Sequence, residues 1–509
     1  VAKGRPKFRG SKKPLLLDRS VKARAASVKS SRTPLGIRLI QASVFAGTIA
    51  VAGAGSAWYF WGNQATQTLA LAAQESTGTR AKLDLPGINR AASPAAMTAA
   101  SQLENAARSI TLRPTHRAAY AAGQLARFPW EADTVSHASD LASLNRTSLD
   151  VLRTLRDAPT IQWPVDLNIA ANPASAAQHA EQLLSLGRVA LWSGITAYHQ
   201  RDHAAAVELW IDALAVSRQI AAYPTAQALA ASLELQREVA EATIHLAPSI
   251  RMDTAPGAAL AGQLRTLTTM LADDEAFTTA ARQSCLIQQQ VVLAAVDHTT
   301  SPDPRLSGWQ KLLASKDLAM LPAQKQQAAE TLRTLERQLS ALSAPTLPAG
   351  LATLTAASPQ ARTLTEKYFT TLTLNRLASV SAATAVYKKD NGGAPLTLTQ
   401  LTPNYLKRVP LDPLASGGKA LGYQSSPIAF AYSVGQNSSD DTNSGTYTTA
   451  RQSQASLIQP DLLAVLISPQ EEQAAIAALQ TPETPSIAAP TSTPDPAPPT
   501  AVTGMGEPN

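Results

Sequence analysis

The sequence predicts a mostly α chain. It comprises an N-terminal transmembrane helix, an all-α region of repeat-like helical hairpins, a small α+β module and a disordered tail. Three observations carry this reading. Residues 63–345 are rich in Ala, Leu, Gln and Glu, and prolines punctuate the helical stretches. Leu39 to Phe60 holds 22 residues without a charge. Near residue 390 the pattern changes to short apolar and aromatic runs between Gly, Pro, Asn and Asp.

A chain of 509 residues has room for two to four folded units. Its single cysteine excludes an intrachain disulfide framework and a Cys-cluster metal centre. The net charge of +7 suggests nucleic acid, but its distribution argues against it. Residues 1–38 hold twelve Lys or Arg and one acid, Asp18, leaving 32 basic and 36 acidic residues in the rest. The body has no excess of cations for a phosphate backbone. The basic arm, residues 1–36, fits the cytoplasmic flank of a membrane span at 37–62. As a helix, 22 residues reach about 33 Å, enough for a ~30 Å hydrocarbon layer. Trp58, Tyr59, Phe60 and Trp61 close the span as an aromatic belt. Two alternatives are a signal peptide cut near Ala57 and a buried soluble helix.

Beyond the span, residues 63–345 predict about ten helices. Within them, 187–217 resemble one tetratricopeptide repeat, a helix–turn–helix unit. Gly194 occupies the small position where the two helices meet, Ala206 and Ala213 the small positions of the second helix, and Trp210 the large one between them. The first helix departs from the pattern, with Ala190 and Ser193 at the usual Trp and Leu positions. Residues 346–360 read as a linker. A helix resumes over 361–389, with a stripe of Leu364, Tyr368, Leu372, Leu377, Val380, Ala383 and Tyr387. Residues 451–509 read as a mostly disordered tail. Ser468-Pro469-Gln470-Glu471 is a capping box that predicts a short helix within it. From Thr481 to Asn509, eight of 29 residues are proline and none is aromatic.

The module, 361–450, carries a second resemblance. After a helix ending at Tyr387 come Asp390-Asn391-Gly392, Tyr405-Leu406 and Pro410-Leu411-Asp412-Pro413. Gly418, Tyr423, Tyr432-Ser433-Val434-Gly435 and Asp440-Asp441 follow in order. This stretch resembles the globular part of the major pseudopilins of type II secretion systems. The resemblance implies one long helix on a three- or four-stranded antiparallel sheet. It also implies a bacterial inner-membrane protein with a periplasmic bulk, whose protein partners belong to a secretion or pilus-like system. In that family a cleavable leader and a Glu-bearing hydrophobic helix run straight into the globular part; here no such leader motif is read, and the membrane segment lies some 300 residues before the module. The expectation is therefore an interaction surface, not a polymerising subunit.

Major pseudopilins hold calcium in the loop after this segment. By that resemblance the metal candidates are Ser433, Asn437, Ser439, Asp440 and Asp441, hard oxygen donors of the kind calcium takes. A solvated acidic turn is the other reading. Elsewhere the chemistry is sparse. His199 and His203 are four apart but lack the Glu of a zinc protease, and a polar turn is the simpler reading. Cys285 reads as a small buried residue, and Asp273-Asp274-Glu275 as an acidic turn or cap. Asn145-Arg146-Thr147 is a glycosylation sequon, relevant only in a glycosylating pathway. No phosphate-binding Gly-Lys loop, nucleophile elbow or dinucleotide fingerprint is present. The predicted function is a membrane-anchored, non-catalytic scaffold that binds proteins. An envelope hydrolase assembled from dispersed residues is the alternative.

Overall fold

The computed structural model describes residues 57–58, 60–76, 93–121, 130–156, 173–223, 225–252, 257–300, 322–354, 359–435 and 462–480. It divides into two compact units, Val1–Asn63 and Gln64–Asn509. In the first, residues 57–58 and 60–63 are helical, and the exposed rings of Trp58 and Trp61 meet edge to face at 5.6 Å. Nearly all of the expected span, 37–62, lies outside the described residues. Among those that are described, no helix is long and apolar enough to cross a membrane.

The second unit is mostly helical. Its first part comprises α1 (64–76), α2 (Pro94–Arg108), α3 (Pro114–Ala121), α4 (Ala132–Leu144) and α5 (Arg146–Leu155). Then come α6 (Pro173–His199), α7 (His203–Ala221), α8 (Ala226–Leu246), α9 (Gly257–Leu271), α10 (Asp274–Thr300), α11 (Pro322–Leu342) and α12 (Leu347–Thr353). A long helix, α13 (Pro359–Asn391), precedes the strands β1 (Gly422–Gln424), β2 (Phe430–Ser433) and β3 (Leu462–Val465). The last described element is α14 (Pro469–Gln480).

Local chemistry explains several boundaries. Ser93, Asp202 and Thr225 each accept a backbone N–H of the first turn that follows, starting α2, α7 and α8. The box predicted at 468–471 closes in both directions: Ser468 N–H donates to Glu471 Oε2 at 2.7 Å, and Glu471 N–H donates to Ser468 Oγ at 3.3 Å. Asn145 is buried, accepting from Thr111 N–H at 2.8 Å and donating to Leu141 O at 2.8 Å. Its amide therefore ties α4 to the segment before α3 and leaves no room for a glycan.

Helices α6, α7 and α8 pack on one another, and Gly194 explains how closely. A Cβ there would lie 2.7 Å from the Trp210 ring and 3.0 Å from Ala206 O. The small residue expected from the sequence is thus required by the α6–α7 contact. Inside this stack, Arg188 is bidentate to Glu238, at 3.0 Å and 2.5 Å, and reaches Glu234 at 2.6 Å. A buried pair of this kind is costly to break, because either partner alone is an uncompensated charge.

The largest departure from expectation is the place of α13. The sequence suggests a module helix with one apolar stripe, set apart by a linker. Instead α13 packs against α8 and α9, with the sheet on another part of its surface. It is therefore buried nearly all round, through small residues such as Ser379, Ser381, Ala382, Ala383 and Thr384. Thr371 donates to Leu233 O at 3.3 Å, and Asn375 donates to Gln236 Oε1 at 3.2 Å. One apolar core runs from Leu183 and Trp210 through Leu377 and Val380 to Ala431. The segment read as a linker contains α12. A Cβ on Gly350 would lie 2.9 Å from Ala341 O and 3.0 Å from Phe369, so this stretch is tightly packed.

The sheet is antiparallel in the order β1-β2-β3. β2 pairs with β1 through Ala431–Tyr423 and with β3 through Ala431–Ala464. Its two faces follow the period-2 alternation. Ala429, Ala431 and Ala464 join the common core, while Ile428, Phe430 and Val465 are covered by Ala475 and Ile476 of α14. Within 451–509, read as a mostly disordered tail, residues 462–480 form β3 and the short helix expected from the capping box, α14, and the rest lies outside the described residues. Leu462–Val465 pairs with β2, with Ala464 buried, and α14 lays Ala475 and Ile476 over the outer face of the sheet.

Candidate functional site

Two clefts border α13. The first has a volume of about 630 Å³. Four separated segments line it: Tyr198, His199 and Arg201 at the end of α6; Pro248 to Met252 after α8; Lys388 and Lys389 at the end of α13; and Ser468 to Glu471 at the start of α14. Basic residues at helix C-termini complement the dipole there, which accounts for part of the positive charge. Lys388 is satisfied by Glu471, at 3.1 Å and 3.0 Å to the two carboxylate oxygens. Lys389 donates to Gly257 O at 3.1 Å. Arg201 and Arg251 are exposed and make no ion pair among the described residues.

Arg201 stands in an unusual position. The α6–α7 turn closes with Asp202 N–H on Ala197 O at 2.9 Å and Arg201 N–H on Tyr198 O at 2.9 Å. That pattern needs a left-handed residue after the helix, normally Gly. Here it is Arg201, with φ of 68°. The surplus charge is felt nearby. Burial and then the Arg201 charge push the His199 imidazole below its usual value. Burial and Arg201 do the same to His203, with Asp202 opposing and Arg251 adding to the effect. The two imidazoles lie near Tyr198, with ring centroids at 5.7 Å and 5.1 Å, at the polar turn the sequence suggests.

The second cleft, about 530 Å³, lies between the α9–α10 turn, α13 and the 403–410 loop. Several of its charges are mutually engaged. Asp274 accepts from Arg376 at 2.8 Å and from Arg408 at 3.0 Å. Arg376 also donates to Leu411 O at 2.7 Å, and Arg265 pairs with Asp390 at 3.2 Å. The acidic run 273–275 therefore serves as a clasp through Asp274.

Of the calcium candidates, only Ser433 lies within the described residues. It is fully buried and donates to Asp412 Oδ1 at 2.8 Å. Val434 N–H donates to Asp412 Oδ2 at 3.0 Å, and Leu414 N–H to Oδ1 at 2.9 Å. In this arrangement Ser433 braces the Pro410–Pro413 turn. Asn437, Ser439, Asp440 and Asp441 lie outside the described residues, among which no group of three or more His, Cys, Asp or Glu is placed to hold a metal.

Cys285 is fully buried, which pushes its thiol up to about 12 and keeps it protonated at neutral pH. Burial also raises Asp212, Glu181 and Glu241, with Glu234 and Glu238 adding to the shift at Glu181. Asp212 and Glu241 are held by Arg156 and Arg237, at 2.7 Å each, and none of the three carboxylates lines either cleft. Sequence spacing could not reveal the first cleft, because its cations come from positions 201, 251 and 388–389. No family model, no curated protein and no solved structure matches the chain.

Proposed function

We propose that this chain is a membrane-anchored, non-catalytic scaffold of the bacterial envelope. In this reading residues 1–36 lie in the cytoplasm, 37–62 span the inner membrane, and the rest faces the periplasm. It binds protein partners of a secretion or pilus-like system through its pseudopilin-like part. The observation that carries the reading is the shared position of α13, which belongs to the helical stack and to the sheet at once. A shape of pseudopilin type fixed to a helical array suits presentation to a partner. Leu396 and Leu411, 69% and 45% exposed, sit on its loops as apolar contact points.

The test is crosslinking in intact cells, with mass spectrometry of what is captured. Deleting 361–450 would remove α13 from the core, so L396D and L411D are the appropriate variants. Recovery of pseudopilins or secretion-platform proteins, lost in these variants, supports the reading. Recovery of the chain alone sinks it. A calcium ion held by Asn437, Ser439, Asp440 and Asp441 would stiffen the same part. Melting of the full chain with calcium and with chelator tests that site, and identical curves remove it.

A further inference from the structure

Resting on the scaffold reading, we propose that the first cleft is a docking site for an acidic segment of a protein partner, with Arg201 and Arg251 as its carboxylate-binding residues. Three observations converge on it. The cleft is a half-open concavity of about 630 Å³. Its four cations, Arg201, Arg251, Lys388 and Lys389, face one lining carboxylate, Glu471. Finally, Arg201 occupies a left-handed position where Gly is the low-strain choice, φ being 68°. Its charge complements the α6 dipole, but a cation within the last turn would do so without the left-handed strain, so the dipole alone does not account for Arg201.

The class of ligand is indicated by what the cleft already holds. Glu471, in the first turn of α14, presents its carboxylate to Lys388 at 3.0 Å and 3.1 Å. The site therefore already accepts a carboxylate carried on a peptide. Among the described residues Arg201 and Arg251 have no carboxylate partner, and a guanidinium can take a carboxylate with two parallel hydrogen bonds. The attraction would weaken with salt, because both arginines are exposed.

The experiment uses the purified full chain and a fluorescein-labelled peptide of alternating Ser and Glu, followed by anisotropy. A Ser–Gln peptide and inorganic phosphate are the comparisons. The double variant Arg201→Gly, Arg251→Gln should bind the acidic peptide about tenfold more weakly. Its melting temperature should be unchanged or higher, since Gly suits the turn. Equal binding by the double variant overturns the proposal. So does equal binding of the Ser–Gln peptide. Saturable binding of phosphate with none of the acidic peptide also overturns it, replacing the partner segment with a free oxyanion. Failure of the unsubstituted chain to bind the acidic peptide, while its secretion-platform crosslinks are present, would sink the cleft alone. Peptide binding retained while those crosslinks are absent would sink only the scaffold reading.

Discussion

The two clefts along α13 are built from the same residue types and reach different electrostatic states. In the second cleft, Asp274 satisfies Arg376 and Arg408, and Arg376 also holds Leu411 O. In the first, one carboxylate, Glu471, faces four cations, and two arginines have no ion pair among the described residues. A clasp uses its charges internally, while a docking site leaves them available. The distinction is energetic as well. Partly buried, mutually bonded charges are costly to separate, and exposed ones contribute little to stability. Substitutions at the clasp should therefore move stability, and substitutions at the first cleft should move binding.

The largest effect is expected just beyond the clasp, at Asp412. Its carboxylate, 2% exposed, accepts from Leu414 N–H, Ser433 Oγ and Val434 N–H. Asp412→Ala would strip three donors of their acceptor in or beside the core. We expect a loss of about 3 kcal/mol in unfolding free energy, read by urea denaturation of the full chain. A change below ~1 kcal/mol would mean that the turn finds other acceptors. Asp274→Ala comes next. Arg376 and Asp274 have side chains 13% and 19% exposed, so breaking the pair leaves a partly buried guanidinium without its carboxylate. About 2 kcal/mol is expected, with affinity for the acidic peptide unchanged. A clasp variant that altered peptide binding as strongly as the arginine variants would erase the contrast between the clefts.

Much of the fold was legible because its signals are local. Gly194 announced a close helix contact, and Ser468 with Glu471 announced a helix start. The runs around Tyr423 and Phe430 announced strands that do pair. The joining of stack and module was not legible. The small residues of α13, Ser379 to Ala385, carry weak hydropathy and conceal a face that packs on α8. β3 left a readable trace, the apolar run Leu462 to Ile467, but its partner β2 lies some 30 residues upstream. The first cleft left no trace. Its cations are scattered along the chain, and only the packing of helix ends brings them together.

The smallest effect concerns Glu471 and separates its two tasks. Burial alone would raise its carboxyl, but the Ser468 N–H, the Lys388 hydrogen bond and the Lys388 charge outweigh it, and the net shift is downward. A lowered folded-state value means that the carboxylate contributes stability above its ordinary range near pH 4.5, and that this is lost as pH falls through the folded-state value. With its side chain 51% exposed, solvent screening limits the contribution to a few tenths of a kcal/mol. Glu471→Gln keeps the capping box, since Gln serves at that position as well as Glu, and removes only the charge. The variant should melt within a degree or so of the parent at neutral pH and lose the small acid-dependent component. It should also bind the acidic peptide roughly threefold more tightly, because Lys388 is then free to engage the ligand. Weaker binding would mean that Glu471 positions Lys388 for the ligand instead of competing with it. The first turn of α14 would then belong to the docking surface.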